Sequence, residues 1–295
     1  MIIIRIFGGL GNQMFQYAMG RAVAYRNNLE LKLDISYFEK QTLRSYGLNH
    51  FNIQADIATK EEIQRFKLRR EQLIARAVNK TRRILLPWYK QKVIKERGFL
   101  FDPDIMKIKG SMYLNGYWQS EKYFIDIADS IRREFTVKDR PDEVNTMLLE
   151  RIDSANAVSL HVRRRDYVSN PRTRNIHGVL DIDYYISALD LITQQNKDAH
   201  VFVFSDDIPW ARENFKISLP VDFIDYNGID KDYEDLRLMS HCKHHIIANS
   251  TFSWWGAWLV ENPNKLVVAP KKWFSDMEMV RKGEIDIIPE GWIQL

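Results

Sequence analysis

Cysteine is nearly absent from this chain of 295 residues, since Cys242 is the only one. A single thiol cannot form an internal disulfide, and it leaves no ligand framework for a zinc finger. The chain also lacks any run of about 18 apolar residues, so we expect no membrane-spanning helix. Arg5 and the glycines after it interrupt the apolar amino terminus too early for a signal peptide. These absences predict a protein of a reducing, cytoplasmic compartment.

Glycine, proline and net charge are modest, with 13 Gly, 9 Pro and a formal charge of +4. This composition excludes collagen-like and low-complexity fibres, and a hydrophobic content of 45% excludes wholesale disorder. At about 100–200 residues per domain, the length allows one large domain or two ordinary ones.

Short apolar strands alternate with helical patterns in both halves of the chain. The first forty residues follow the order strand, turn, helix, strand. The second half predicts strands at residues 157–162, 201–205, 221–225, 245–248 and 266–269, and helices at 184–195, 209–215, 233–242 and 252–260. This alternation predicts an α/β protein with two Rossmann-like domains, residues 1–145 and 146–295, separated by a helix-rich middle. Ligands of such folds lie at the carboxyl ends of the strands.

A glycine turn joins the first predicted strand to the first helix. Its sequence is Gly8-Gly9-Leu10-Gly11-Asn12-Gln13, and Asn12 is the predicted N-cap. Backbone N–H groups at such a turn can face an anion. Met14 replaces the third glycine of the dinucleotide fingerprint, and no Gly-Lys-Ser/Thr follows, which excludes a P-loop. An ordinary turn remains the alternative.

Basic residues crowd the end of the strand predicted at residues 157–162. His161 and Val162 are followed by Arg163, Arg164, Arg165 and Asp166. Adjacent arginines repel one another unless an anion or an acid compensates, so the cluster favours a diphosphate site. Asp166 is the predicted base, or else a structural partner of Arg164. A solvated surface cluster is the alternative.

A second junction of strand, polar turn and helix runs from Asn249 to Trp258. Ser250 or Thr251 is expected to cap this helix, whose first N–H groups would form a second anion site. We expect the aromatic side chains of the helix to be core rather than a platform for sugars. We likewise expect Cys242 to be a buried apolar residue.

Metal ligands are not predicted. The stretch His241-Cys242-Lys243-His244-His245 does not have the spacing of a standard site. Asp-x-Asp triplets begin at Asp102, Asp181 and Asp230, and such triplets arise readily by chance in an Asp-rich chain.

Positive charge is concentrated in the segment from Lys60 to Arg97, which holds thirteen basic and four acidic residues and has a net charge of +9. Its apolar residues recur at helical spacing for much of its length. Such a helix can lie on an anionic membrane surface, or it can be an ordinary solvated helix. Nucleic-acid binding is not expected, because no reader motif accompanies the charge.

Four blocks together resemble the bacterial α-1,2-fucosyltransferases, glycosyltransferase family 11. They are residues 8–17, His161 to Asp166, Phe204-Ser205-Asp206-Asp207, and Asn249 to Trp258. Their order and spacing cover essentially the whole chain. The resemblance implies two facing Rossmann-like domains of the GT-B type, with GDP-fucose held mostly by the second domain and the acceptor by the first.

The resemblance also implies roles for single residues. Arg163 would contact the β-phosphate of GDP-fucose, and His161 and Asp235 would contact its guanine. The remaining donor contacts would be Gly9, Gly11, Asn249, Ser250, Thr251 and Phe252. Asn12 and Gln13 would face the fucose and the acceptor.

From this resemblance we expect an inverting, metal-independent transfer of L-fucose from GDP-fucose to the 2-hydroxyl of a terminal β-galactoside, in surface polysaccharide synthesis. Arg163 and Asp166 are the predicted catalytic residues, no cofactor is expected, and the basic segment would contact the inner membrane face, where lipid-linked acceptors reside. The alternatives are fucose transfer with another linkage such as α-1,6, a metal-dependent transferase, and a non-catalytic nucleotide- or glycan-binding protein on the same fold.

Overall fold

The computed structural model describes residues 1–40, 44–67, 91–164, 167–168, 170–275 and 286–295. It divides into two compact units, Met1–Thr136 and Val137–Leu295. The division predicted after residue 145 falls inside a helix, Glu143–Ser154, that begins with its N-cap Asp142 in the second unit.

The first unit is built on a parallel sheet covered by a long helix. Its strands are β1 (Ile2–Arg5), β2 (Leu31–Asp34), β3 (Asp56–Ile57), β4 (Val93–Lys95) and β5 (Met112–Asn115). Its helices are α1 (Leu10–Asn27), α2 (Lys60–Lys67) and α3 (Ala128–Glu134). Short 3-10 turns cover Phe38–Lys40, Leu48–His50, Pro103–Lys107, Glu121–Tyr123 and Ile125–Ile127.

The strand order of the first sheet is β3-β2-β1-β5-β4, and every pair is parallel. The chain leaves β1 towards β2 on one side and returns to β5 on the other side. The order of the strands therefore reverses between β1 and β5, and the carboxyl ends of these two strands form the crevice where such sheets bind ligands.

Two expectations about the first unit are wrong. Helix α1 begins at Leu10 with Gly9 as its N-cap, so Asn12 lies inside the first turn instead of capping it. The reason is that Gly8, with φ +82°, turns the chain four residues earlier. The middle of the chain also contributes β4 and β5, which complete the sheet, although a helix-rich segment without sheet strands was expected there. Most of the basic segment, residues 68–90, lies outside the described residues.

The second unit has a longer parallel sheet with helices on both faces. Its strands are β6 (Asn156–Val162), β7 (Ala199–Ser205), β8 (Val221–Ile224), β9 (His244–Ile246), β10 (Val267–Ala269) and β11 (Ile293–Gln294). Its helices are α4 (Glu143–Ser154), α5 (Pro171–His177), α6 (Ile182–Gln195), α7 (Ile208–Asn214), α8 (Asp232–His241) and α9 (Thr251–Trp258), with a 3-10 turn at Ile229–Lys231.

The second sheet has the order β11-β10-β9-β6-β7-β8, and its strands are all parallel. Here the order reverses at β6, between β7 and β9. Buried aliphatic residues of β6 and β7 pack against α6 on one face, and Phe202, Phe204 and Cys242 form the core on the other face. The α/β class with parallel sheets in two domains is confirmed.

The tryptophans of α9 are core residues, as predicted. Trp254 and Trp255 are fully buried, and the rings of Trp254 and Trp258 are stacked 5.9 Å apart. Cys242 is buried as well, and burial raises the pKa of its thiol. Among the described residues, no helix is both long enough and apolar enough to cross a bilayer.

Candidate functional site

Charged and polar residues follow three neighbouring strands at the carboxyl edge of the second sheet. Arg163 and Arg164 follow β6, Asp206 and Asp207 follow β7, and Asn249 begins the turn after β9. These strands flank the point where the strand order reverses, so the predicted cluster lies where an open α/β sheet binds ligands.

Two aspartates hold the arginines. Val162 pairs with Ser205 across the sheet, which brings the residues after them together. Arg163 Nη1 lies 3.2 Å from Asp206 Oδ2, and the backbone N–H of Arg164 donates to Asp206 Oδ1 over 2.8 Å. The Arg164 guanidinium lies 3.7 Å from Asp207 Oδ2 and 3.7 Å above the Trp210 ring. These acids offset the repulsion between the arginines through ion pairs, and the Trp210 ring packs against the Arg164 guanidinium.

His161 is buried at the end of β6 with a fractional exposure of 4%. Burial and the charge of Arg163 lower the pKa of His161 to about 3, so its imidazole is neutral at pH 7. Its ring lies 5.7 Å from the ring of Phe252. Its Nδ1 has no hydrogen-bond partner within the described part of the chain. A buried nitrogen without a partner is costly, so a ligand that hydrogen-bonds to it would gain binding energy.

Asn249 holds the loops around this cluster. Its backbone carbonyl accepts a hydrogen bond from Tyr167 Oη over 3.0 Å. Its Nδ2 donates to the carbonyls of His177 and Trp273 over 2.8 and 3.3 Å. The rings of Tyr167 and His177 are stacked 5.0 Å apart. The side chain of Asn249 therefore fixes α5 and the segment after β10 beside the arginines.

Ser250 is the N-cap of α9, and it is one of the two residues, Ser250 and Thr251, that were predicted for this position. Its Oγ accepts from the Phe252 N–H over 3.4 Å, and Thr251 is the first helical residue. The remaining N–H groups of the first turn add a positive potential at the same sheet edge, because the peptide dipoles align along the helix.

Asp235 belongs to a separate hydrogen-bond network on α8. Its Oδ1 accepts from Asn227 Nδ2 over 2.9 Å, and Asn227 in turn exchanges two hydrogen bonds with the amide of Asn145. Burial raises the pKa of Asp235 to about 7. A neutral carboxyl group of this kind can both donate and accept hydrogen bonds.

The glycine turn of the first unit lies at the end of β1. Gln13 is 1% exposed, and its Nε2 donates to the carbonyls of Gly8 and Ser45 while its Oε1 accepts from the Gly47 N–H. Gln13 thus holds the backbone of the turn and of the loop after β2, rather than presenting its amide to a sugar. Asn12 is half-buried, and its Oδ1 accepts from Gln119 Nε2 over 2.8 Å. A Cβ at Gly9 would lie 3.9 Å from Arg44 Nη1, so a cation stands beside the turn.

The sequence pattern missed several residues of these sites. Asp206 and Asp207 were noted only as part of a family block, although they are the partners of the two arginines. A signal was available, since two acids follow β7 at the same position as two arginines follow β6. Asp166 and Arg165, by contrast, lie outside the described residues. In the part of the chain that is described, no three His, Cys, Asp or Glu side chains lie together as metal ligands would.

Comparison with known proteins matches the whole chain to one family. The family model described as "Glycosyl transferase family 11" matches residues 1–295. An alpha-1,2-colitosyltransferase of Escherichia coli is 36% identical, covering 100% of this chain and 98% of the relative. The O-antigen biosynthesis glycosyltransferase WbnK of Escherichia coli is 34% identical and covers 98% of each chain.

More distant similarities extend to animals and plants. The rat galactoside alpha-(1,2)-fucosyltransferase 1 is 32% identical over 154 residues, which are 50% of this chain and 41% of that protein. The solved structure of Arabidopsis thaliana FUT1, a mutant in complex with GDP, superposes with a TM-score of 0.54 at 12% identity. It covers 90% of this chain and 69% of that one, and at this identity it shows a shared fold alone.

Proposed function

The chain belongs to glycosyl transferase family 11, and we propose that it is an inverting α-1,2-fucosyltransferase that acts on a terminal β-galactoside. The observation that carries this proposal is the grouping of His161, Arg163 and the capped turn at Ser250 around the reversal point of the second sheet. In this proposal the second unit holds GDP-fucose, and the first unit holds the acceptor. The similarity of this chain to two bacterial enzymes, one of them named for O-antigen biosynthesis, supports a role in surface polysaccharide synthesis.

Chemically, these residues suit the departure of a nucleoside diphosphate. Breaking the bond between fucose and phosphate places negative charge on GDP, which needs preorganised donors or cations. Arg163 lies at this edge in an ion pair with Asp206, and the first turn of α9 adds backbone N–H groups. His161 and Asp235 would bind the guanine, to which a neutral imidazole and a carboxyl group with a raised pKa can each offer a hydrogen bond. No metal ion is required in this proposal.

A second donor is favoured by one specific observation. The similarity to an alpha-1,2-colitosyltransferase spans the full chain. Colitose is fucose without its 3-hydroxyl group, so a site for one sugar accommodates the other unless a polar group pairs with that hydroxyl. The donor sugar therefore has to be tested directly.

The experiment measures GDP release in EDTA, with GDP-fucose or GDP-colitose as donor and lactose, N-acetyllactosamine or lacto-N-biose as acceptor. We expect release that depends on the acceptor and is faster with GDP-fucose, and an NMR spectrum of the product with an α-1,2 linkage. Faster release with GDP-colitose would assign the other donor. An α-1,6 product would overturn the linkage, and activity that EDTA abolishes would overturn the metal-independent mechanism. Stabilisation by GDP without any turnover would favour a binding protein.

A further inference from the structure

An aromatic patch lies at the reversal point of the first sheet. Its members follow the strands: Phe7 comes after β1, Tyr37 after β2 and Tyr117 after β5. The ring of Phe7 lies 4.9 Å from that of Tyr117 and 6.0 Å from that of Tyr37. Tyr117 remains 39% exposed. Partly exposed aromatic faces are surfaces on which the apolar face of a sugar ring can pack.

Buried hydrogen bonds fix the backbone that carries the patch. Phe7 exchanges two hydrogen bonds with the side chain of Gln16 on α1, its N–H donating to Oε1 and its carbonyl accepting from Nε2. Gln16 is fully buried, so its side chain fixes the position of Phe7 and is not accessible to a ligand. Gln119 ties the loop after β5 to the glycine turn through Asn12. The patch is thus a preformed surface.

Glu96, directly after β4, lies against the same loop. Its Oε2 accepts from the Tyr117 N–H over 2.6 Å and its Oε1 accepts from the Trp118 N–H over 2.8 Å. Gly116 has no room for a side chain, because a Cβ there would clash with Glu96. The first of these hydrogen bonds is exposed to solvent and Glu96 is half-buried, so this edge of the carboxylate lies at the surface of the unit.

The loop that forms this arrangement is strained. Trp118 adopts φ +57°, which is rare for a bulky residue, and its fully buried indole N–H has no acceptor among the described residues. Both features are energetically unfavourable. Strain of this kind clusters at functional sites, and here the strained residue and its neighbour Tyr117 both donate backbone N–H groups to the Glu96 carboxylate.

We propose that Phe7, Tyr37 and Tyr117 bind the galactoside acceptor and that the Glu96 carboxylate takes the proton of its reacting hydroxyl. In this step the acceptor oxygen forms a bond to the anomeric carbon of fucose while the bond from that carbon to phosphate breaks. The electron pair of the broken bond leaves with GDP, and the proton moves from the hydroxyl to Glu96 and then to water. This inference rests on the proposed transferase function.

Burial of Glu96 supports this role. It raises the pKa of the carboxyl group to about 7, although the two backbone N–H donors work in the opposite direction. A base is most effective when its pKa lies near the working pH. Among the described residues, the titratable and charged groups that act on Tyr117 include Arg5, Tyr37 and Glu96, and Arg44 lies beside the glycine turn. Arg5 also lies 5.4 Å from the Phe7 ring centroid.

The test compares Tyr117→Ala and Glu96→Ala with two matched controls in the same unit. Tyr25→Ala removes a tyrosine that is 62% exposed on α1, and Glu30→Gln changes an exposed acid before β2. We expect Tyr117→Ala to raise the acceptor KM about tenfold with the donor KM unchanged. We expect Glu96→Ala to lower kcat about 100-fold or more, and added formate to restore part of it. Both controls should match the parent.

The pH profile of kcat separates a base from a merely structural residue. In the parent, kcat should fall as the pH decreases below about 7, and this limb should be missing in Glu96→Gln. Retention of more than a third of the parent kcat in Glu96→Ala, or an unchanged acidic limb in Glu96→Gln, would overturn the role of Glu96. If the Glu96 variants fail to fold, a Tyr117→Ala variant with the parent's acceptor KM would overturn the site.

Failure of the inference is distinguishable from failure of the proposed function. A parent protein that transfers fucose, together with Tyr117 and Glu96 variants that do so equally well, overturns the inference alone. If the parent transfers no sugar, saturation-transfer NMR with methyl β-galactoside tests the patch directly. A signal that Tyr117→Ala abolishes would support the patch as a sugar site, and a signal that it leaves unchanged would overturn it.

Discussion

At the residue scale, burial sets the charge of the groups at both sheet edges. The pKa of His161 falls to about 3, whereas those of Asp235 and Glu96 rise to about 7. The same desolvation acts in each case, because a charge is costly where water is excluded. The imidazole is therefore neutral at pH 7, and the two carboxyl groups are near their midpoints. Arg163 forms an ion pair with Asp206 at the same edge of the second sheet.

Arg163→Ala should lower kcat/KM for the donor about 100-fold or more, because a preorganised cation for the leaving diphosphate is lost. Arg163→Lys should retain only part of the parent's kcat/KM, since an ammonium group cannot bind two oxygens in one plane. The rate of GDP release gives these values. Arg151→Ala, which breaks a surface ion pair with Asp222 in the same unit, is the control. A rate for Arg163→Ala near that of the control would contradict the assigned role.

The free energy of unfolding of Asp235→Asn, relative to that of the parent, should increase as the pH rises. The folded pKa of Asp235 is raised, so its contribution to the parent is complete below the unfolded pKa and is lost as the pH rises towards about 7. Asparagine keeps the hydrogen bond from Asn227 and does not titrate. From pH 5 to pH 8, the difference in free energy of unfolding between the variant and the parent should shift by about 1–2 kcal/mol in favour of the variant.

Urea unfolding at the two pH values measures this difference. Asp190→Asn, an exposed change on α6, should show the same offset from the parent at both values. An offset for Asp235→Asn that does not vary with pH would contradict the prediction.

At the scale of elements, two helices approach closely at a glycine. Helices α8 and α9 pack together beside the donor-side cluster, and Gly256 on α9 faces Met239 on α8. A Cβ at Gly256 would lie 2.9 Å from the Cβ of Met239, which no rotamer change can relieve. This contact fixes the helix whose first turn is expected to face the phosphates.

Gly256→Ala should therefore destabilise the protein by about 1–3 kcal/mol through overpacking, although alanine alone favours a helix by about 1 kcal/mol. Urea unfolding provides the measurement. The control is Gly228→Ala, because Gly228 has φ −78° and nothing within 4 Å of its would-be Cβ. The control should stay within about 0.5 kcal/mol of the parent. Equal stability of the two variants would show that α8 and α9 can separate at no cost.

At the scale of the whole molecule, charge is divided unevenly along the chain. The segment from Lys60 to Arg97 has a net charge of +9, against +4 for the complete chain. The remaining residues are therefore acidic overall. This distribution favours attraction of one segment to an anionic surface, where a lipid-linked acceptor would also be held.

We expect the protein to sediment with vesicles that contain phosphatidylglycerol and not with vesicles of phosphatidylcholine alone, and salt should weaken the binding. Replacing Arg69, Arg70, Arg82 and Arg83 by Gln should abolish sedimentation and preserve transfer to soluble acceptors. Neutralising Lys216, Lys243, Lys271 and Lys272, which are exposed in the second unit, is the matched control. Equal sedimentation of the two variants, or none of the parent, would contradict this role of the segment.

Local patterns in the sequence were sufficient for much of the fold. The β-branched run of β1, the helical spacing of α1 and the alternation in the second half each involve neighbouring residues, so their periodicity is visible in the chain itself. The cap at Ser250 and the buried tryptophans of α9 follow from the same local chemistry. The chain's own sequence also placed His161 and Arg163 at the end of a strand.

Tertiary structure alone decided which distant residues meet. Strands β4 and β5 are short and acquire their partners only when the sheet assembles, so the pattern of the middle segment could not predict them. For the same reason, the pairing of Arg163 with Asp206, the burial of Gln13 and the contact of Glu96 with the Tyr117 loop were not visible in the sequence. Side-chain charge is a local property, but its solvation and its partner depend on residues brought together by the fold.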